Sequence, residues 1–208
     1  AKILSSYNSN EIEDLYLPFK RKKKTKADTA REAGLEPLAK LIMSQRGTDV
    51  QYAVQKYLND KVATIAEAIS MAKDIIAEWV SEDQDIRERI RQNFRRFAKI
   101  QSKVVSKKKD EAEKYQDYFD FQEVLSKCPS HRFLAMMRGD SEGMLKISLQ
   151  VEDERLLEMI DRKFIRSNGE EADIIQDAIS DSYKRLIFSA IETQIINEFK
   201  EKADEEAI

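Results

Sequence analysis

Six cations crowd into seven positions, Lys20, Arg21, Lys22, Lys23, Lys24 and Lys26, with Thr25 as the only interruption. The whole chain carries 36 Lys+Arg against 39 Asp+Glu, so this segment opposes the global sign. Phosphate is the chemical counterpart of such a patch. A second concentration runs from Arg87 to Lys109, with ten basic residues and a single acid, Glu88. In it Arg87, Arg91 and Arg95 recur every fourth residue, and Lys107, Lys108 and Lys109 close the stretch. These twelve side chains are the candidate nucleic-acid contacts. Each segment also has a plainer reading. The first is a solvated loop, or a latch whose Tyr16 and Phe19 dock on the core while the lysines reach outward. In the second, some arginines pair with acids of the carboxy-terminal helices; positions 151–208 hold sixteen acids against eight bases, an end expected to repel nucleic acid.

Catalytic patterns are sparse. The single histidine, His131, follows Cys128 by three residues, but a C-x-x-H pair needs two further ligands to hold zinc. Ser130 or Cys128 beside His131 fails as a nucleophile pair, because sequence neighbours seldom aim their side chains at each other. His131 and Arg132 instead suit a capping or buttressing role on a helix opened by Pro129. Neither a GxxxxGKS loop nor a GxGxxG turn occurs. The carboxylates lie in charged helix faces rather than apolar pockets, so none is marked as a raised-pKa acid. No catalytic residue, metal or cofactor is expected. Tyr115, Tyr118, Phe119 and Phe121 have the chemistry to stack bases, but beside Val124 and Leu125 at helical spacing they read first as core.

The elements that must position these groups are mostly helices. With 208 residues, 41% hydrophobic and 36% charged, five Gly and three Pro, the chain favours amphipathic helices over a turn-rich β fold. Thr25 with Asp28 forms a capping pair and Gly34 a left-handed stop, which predicts a short helix over 26–33. Pro37 opens a helix carrying Leu38, Leu41 and Ile42. Gly47 ends it, and Thr48 caps another through Val50, Val54, Tyr57 and Leu58. From Thr64, Ile65, Ile69, Ala72, Ile76 and Trp79 form one amphipathic seam. After Asp83, Ile86, Ile90, Phe94 and Phe97 form a second, with Arg87, Arg91, Arg95 and Lys99 one step round.

Val104 and Val105 are β-compatible, and Leu145 to Val151 alternate apolar and polar, so the two pieces are expected to pair as a ribbon. Between them a helix with an aromatic face is expected from Tyr115 to Leu125, then one from Pro129 through Met137, turning at 139–143. Later helices carry Leu156, Leu157, Ile160 and Phe164, then Ile175, Ile179, Ser182 and Leu186. Ser189 with Glu192 predicts a break before a last helix through Ile195, Ile196 and Phe199. One uninterrupted helix is the alternative.

Leu15, Tyr16, Leu17, Pro18, Lys20, Lys22, Thr25, Lys26 and Ala27 match the signature LYLPYKPKRRTKA of the Tex family of bacterial transcription accessory proteins, which this segment resembles. The ARE-x-GLEPLA that follows it is present as Ala30, Arg31, Glu32, Gly34, Leu35, Glu36, Pro37, Leu38 and Ala39. Phe19 stands in place of a Tyr and Arg21 in place of a Pro, which frees one φ angle and adds a charge. The segment KYQDYFDFQEVLSKCPSHRFLAMMRGDSEGMLKISL, from Lys114 to Leu149, is similar to the family's KFRDYFDYSEPLxRVPSHRALALFRGRNEGVLRLSL. The resemblance implies the helical amino-terminal and central region of such a protein. It further implies that an RNase-H-like domain without evident catalytic residues, helix-hairpin-helix elements and an OB-type RNA-binding domain lie downstream, outside these 208 residues.

The expected fold is therefore mainly α, a multi-helix assembly with a helix-turn-helix-like part and a small two-stranded β element. Three regions are expected: 1–63 as a basic hook with short helices, 64–151 as central helices with the ribbon, and 152–208 as long acidic helices. The chain opens on Ala and closes on EKADEEAI with helical character still running, which reads as a piece of a longer protein. The single Cys128 and the lack of an apolar run of about 18 residues point to a cytoplasmic, non-membrane protein. Functionally, a non-catalytic scaffold making phosphate-directed, non-sequence-specific contacts with RNA or DNA is expected. The alternative is a protein-interaction module that organises the downstream domains and meets RNA polymerase or ribosome-associated proteins.

Overall fold

Thr25 begins the first well-capped helix by closing both halves of a capping box. The Asp28 amide donates to Thr25 Oγ1 at 3.1 Å, and the Thr25 amide donates to Asp28 Oδ2 at 2.9 Å. A computed structural model describes residues 9–19 and 23–207. Along it run α1 (Ser9–Tyr16), α2 (Lys26–Glu32), α3 (Glu36–Ser44), α4 (Val50–Val54), α5 (Ile65–Ser81) and α6 (Gln84–Phe97). After these come β1 (Lys99–Val104), β2 (Asp120–Val124), α7 (Ser130–Ser141), β3 (Leu145–Gln150), α8 (Asp153–Phe164), α9 (Glu170–Ser182) and α10 (Phe188–Glu206). The fold is mainly α, as the composition implies. The residues divide into two units, each discontinuous in sequence: 1–87 with 153–189, and 88–152 with 190–208.

In the first unit, α5 packs on α2, α3 and α9. Ala68, Ala72 and Ala77 of α5 and Ala172 and Ala178 of α9 are buried, so small side chains let the helix axes approach. Ser182, itself fully buried, donates its hydroxyl to the Ala77 carbonyl at 2.6 Å. Leu35, Leu38, Ile42, Val50, Ile75, Ile76, Ile160 and Ile175 complete the core. Gly34, at φ +81°, supplies the stop anticipated after α2. The cap of α4 is Asp49 rather than Thr48: Asp49 Oδ1 accepts from the Tyr52 amide at 2.9 Å. Burial also reaches one ion pair. Arg87 Nε lies 2.6 Å from Asp14 Oδ1, with both side chains under 5% exposed.

In the second unit an antiparallel sheet has the order β2-β1-β3. The expected ribbon is its β1–β3 half, with Val104 opposite Leu145. The third strand comes from the stretch read as an aromatic-faced helix. Only its first part winds, as a 3-10 run over Glu113–Tyr118, and Asp120–Val124 then pairs with β1. Pairing with β1, which sets Phe121 opposite Ser102 and Glu123 opposite Ile100, overrides the helical spacing of the preceding aromatics. Ile100, Ser102, Leu145 and Leu149 are buried, as are Phe133 and Met136 of α7, which lies against β3. Lys99, placed on the arginine face of a helix by spacing, begins β1 instead.

Two further boundaries differ from expectation. Gly139 is inside α7, where a Cβ would stand 2.6 Å from Leu145 Cδ1 and 2.8 Å from its Cγ, so glycine is what lets helix and strand touch. The stop is Gly143, at φ +69°. No capping box forms at Ser189. A π-helical segment, Tyr183–Ile187, runs straight into α10, and Glu192 accepts instead from the Leu149 amide at 2.6 Å.

Gly139→Ala is expected to lower stability by about 1–3 kcal/mol despite alanine's better helix propensity, because buried Leu145 cannot yield freely; thermal or urea unfolding measures it. Asp14→Ala is expected to cost about 3–5 kcal/mol by stranding a buried guanidinium, and the double change Asp14→Leu with Arg87→Met to recover most of that loss in the same assay.

Candidate nucleic-acid interface

The arginines of α6 owe their place to the helix period. Ile86, Ile90 and Phe94 form the buried seam, and Arg87, Arg91 and Arg95 sit one residue later at the seam's edge. Guanidinium groups there must take carboxylate partners as they leave water. In the first unit Arg87 finds Asp14 and also donates to the Ser81 carbonyl at 3.4 Å. In the second, Arg91 is 1% exposed, with Nε 2.9 Å from Glu88 and Nη1 3.4 Å from Gln194. Arg95 binds Glu198 through Nε at 2.9 Å and Nη2 at 3.0 Å, and reaches Glu88 at 3.2 Å. The Glu198 hydrogen bonds raise the pKa of Arg95 and fix it as a cation. These three expected contacts are therefore committed to internal partners, two of them on the acidic last helix.

The early basic segment is different. Lys20, Arg21 and Lys22 lie outside the described residues. Lys23, Lys24 and Lys26 are exposed. Lys24 meets Glu32 at 2.7 Å, a pair with both side chains nearly 60% exposed and of little energetic weight. Phe19 is 74% and Tyr16 50% exposed, so neither is docked as a latch requires. Two exposed aromatic side chains therefore precede the basic run in the sequence.

Of the second expected run, Lys107 and Lys109 are exposed and Lys108 is half-buried. The sheet adds three lysines outside the twelve expected contacts. Lys99 and Lys103 alternate along β1 with buried Ile100 and Ser102, and Lys146 lies opposite Lys103 on β3. Gln101, Gln122, Ser148 and Gln150 share that face by register. Period-two alternation, visible in the sequence once β1 is extended back to Lys99, is the signal that finds them. Among the described residues, none of Lys99, Lys103, Lys107, Lys108, Lys109 and Lys146 forms an ion pair.

Nucleophilic chemistry has no foothold at Cys128. Burial, reinforced by Glu123, pushes its thiol up to about 12, so it stays protonated at neutral pH. His131 is exposed, while Arg132 takes the buttressing role, 2.7 Å from Glu123 and 5.6 Å over the Phe121 ring. Among the described residues no group of three or more His, Cys, Asp or Glu side chains is placed to hold a metal ion, and no helix is long and apolar enough to cross a membrane.

Comparison with known proteins bears on the whole chain. The family described as Tex central region-like matches residues 45–208. The transcriptional accessory protein Tex of Neisseria gonorrhoeae is 36% identical over all of this chain and 28% of its own length. The Bacillus subtilis protein YdcI is 39% identical over all of this chain and 30% of its own. The human S1 RNA-binding domain-containing protein 1 is 24% identical over 99% of this chain and 22% of its own. The chain thus spans less than a third of the length of these relatives. With the early LYLPF and ARE-x-GLEPLA motifs preceding a family match that covers most of its length, the chain belongs to the Tex family.

Proposed function

We propose that this region is a non-catalytic helical scaffold of a cytoplasmic transcription accessory protein that contacts the phosphates of RNA or DNA without selecting bases. One observation carries the reading: the cations fall into two populations. Arg87, Arg91 and Arg95 are consumed by internal carboxylates and hold helices together. Lys23, Lys26, Lys107 and Lys109 are exposed, and Lys20, Arg21 and Lys22 continue the first run in sequence. Exposed Phe19 and Tyr16 beside that run add the sequence-tolerant stacking that single strands use. The names of the relatives, transcriptional accessory and S1 RNA-binding, agree with such a role. Contacts to downstream domains of the same chain fit a region that spans under a third of its relatives.

A second reading, docking of RNA polymerase or ribosome-associated proteins, draws on the same exposed Phe19 and on Tyr52, which is 64% exposed. The two separate in solution. Fluorescence anisotropy with labelled RNA and DNA across a salt series is expected to show binding at low salt. If all six early cations engage a single strand, they contribute roughly −4 to the log-log slope. Reversing Lys22, Lys23 and Lys24 to Glu is expected to weaken binding and make the slope shallower by roughly 2. Arg95→Ala is expected to lower the melting temperature and leave affinity unchanged. Absence of binding at low salt sinks the nucleic-acid reading. An unaltered affinity with loss of a protein partner favours the second.

A further inference from the structure

The outer face of the three-stranded sheet is polar at every position but Val124. Its rows, read across β2, β1 and β3, are Asp120, Lys103 and Lys146; then Gln122, Gln101 and Ser148; then Val124, Lys99 and Gln150. Lys99, Lys103, Lys146, Gln122, Gln150 and Asp120 are exposed, and Gln101, Ser148 and Val124 half-buried. One carboxylate faces three ammonium groups, and it forms no ion pair with any of them.

The Lys103–Lys146 pair has a cost that Asp120, opposite Lys103 on β2, offsets only in part. Lys103 and Lys146 are directly opposite in register, where like charges destabilise a strand pair. Elsewhere in this unit exposed cations do take carboxylates, as Lys114 does with Glu142 at 2.7 Å. The amide side chains are already organised, with Gln150 Nε2 donating to Gln101 Oε1 at 3.3 Å and to Ser148 Oγ at 3.4 Å. Two β3 amides are held by carboxylates, Asp140 on Ile147 and Glu192 on Leu149, so these two acids serve the strand backbone and not the lysine face.

We infer that this face binds the sugar–phosphate backbone of a single-stranded polynucleotide, a site separate from the early basic segment and resting on the reading that the protein engages nucleic acid. Charge complementarity selects a polyanion. Dimensions select a single strand: five residues of strand give a face about 14 Å long and about 10 Å across three strands, room for two or three nucleotides. Alternate residues along β1 stand about 6.8 Å apart, comparable to successive phosphates of an extended strand. A duplex instead takes a helix or ribbon inserted into a groove about 12 Å wide, and this face offers no such projection. Sheets that read bases do so with aromatic platforms. Here Phe121 lies in the register of buried Ser102, on the opposite face, so contact is with backbone and indifferent to sequence. The glutamine amides supply neutral donors between the ammonium groups.

The test uses the 208-residue chain with fluorescent oligo-uridine, oligo-thymidine and a duplex of equal length, titrated at several salt concentrations. The triple change Lys99→Gln, Lys103→Gln and Lys146→Gln is expected to weaken single-strand binding by about tenfold at low salt and to reduce the log-log slope by roughly 2. Lys→Arg at the same three positions is expected to keep binding, and circular dichroism melts to show all variants folded. Photo-crosslinking of thiouridine-bearing RNA is expected to label peptides of β1 and β3. Wild-type affinity in the triple Gln variant overturns the site, and so does equal displacement by poly-glutamate of matching charge or equal affinity for the duplex. If the triple Gln variant binds normally while reversal at Lys22, Lys23 and Lys24 does not, the sheet proposal falls and the wider reading stands. If the wild-type chain binds no strand at low salt, both fall.

Discussion

The stripe of arginine along one edge of α6 is the constraint around which the charges of this protein are arranged. A seam of Ile86, Ile90 and Phe94 with arginine at each following position leaves the guanidiniums no route to bulk water from Arg87 and Arg91. Desolvating them without partners costs several kcal/mol each, roughly the size of a domain's whole stability when summed. The carboxylates of Asp14, Glu88 and Glu198 are thus required by the fold. The acidic excess of the last helix has the same origin in part. Glu198 grips Arg95 and Glu192 occupies a strand-edge amide, so the acids that look like a nucleic-acid repellent are structural neighbours of base and backbone.

Arginine and lysine divide the work according to their chemistry. A planar, weakly hydrated guanidinium tolerates burial and takes a carboxylate with two parallel bonds, as Arg95 does with Glu198. An ammonium holds its water and stays at the end of a flexible stem. Lys23, Lys24 and Lys26 of the early segment and Lys99, Lys103 and Lys146 of the sheet accordingly remain outside. Counting positive charge along the chain merges these two classes, and burial separates them.

Much of the local structure is legible because it is written in single residues. Thr25 with Asp28, Gly34, Pro37 and the Thr64 cap each act through backbone geometry, and each appears where its chemistry places it, although the buried face of α5 runs through Ala68, Ala72, Ile75 and Ile76 rather than Ile65, Ile69 and Trp79. The β1–β3 pairing follows from alternation in the same way. The third strand is not legible, since Tyr115, Tyr118 and Phe119 imitate a helical face and the winding stops only when Asp120–Val124 meets β1. Ser189 and Glu192 imitate a capping box, but Glu192 finds a better acceptor role on β3, far off in sequence. Gly139 is ambiguous by itself, a turn signal whose real cause is the approach of Leu145. The discontinuous units, 1–87 with 153–189 and 88–152 with 190–208, are likewise beyond any reading that divides the chain by position.

The candidate interface was half legible for a related reason. A run such as Lys20 to Lys26 is conspicuous because its charge is contiguous, whereas Lys99, Lys103 and Lys146 are dispersed over nearly fifty positions and meet only through strand register. Register also decides their sign of usefulness. Shifting β1 by one residue relative to its neighbours would turn Lys99, Gln101 and Lys103 inward and expose Ile100 in their place, so burial of Ile100 and Ser102 is what holds Lys99 and Lys103 out. Any polyanion site on this sheet is therefore inherited from the packing of its other face, and changes that loosen Ile100, Leu145 or Leu149 would blur it without touching a charge.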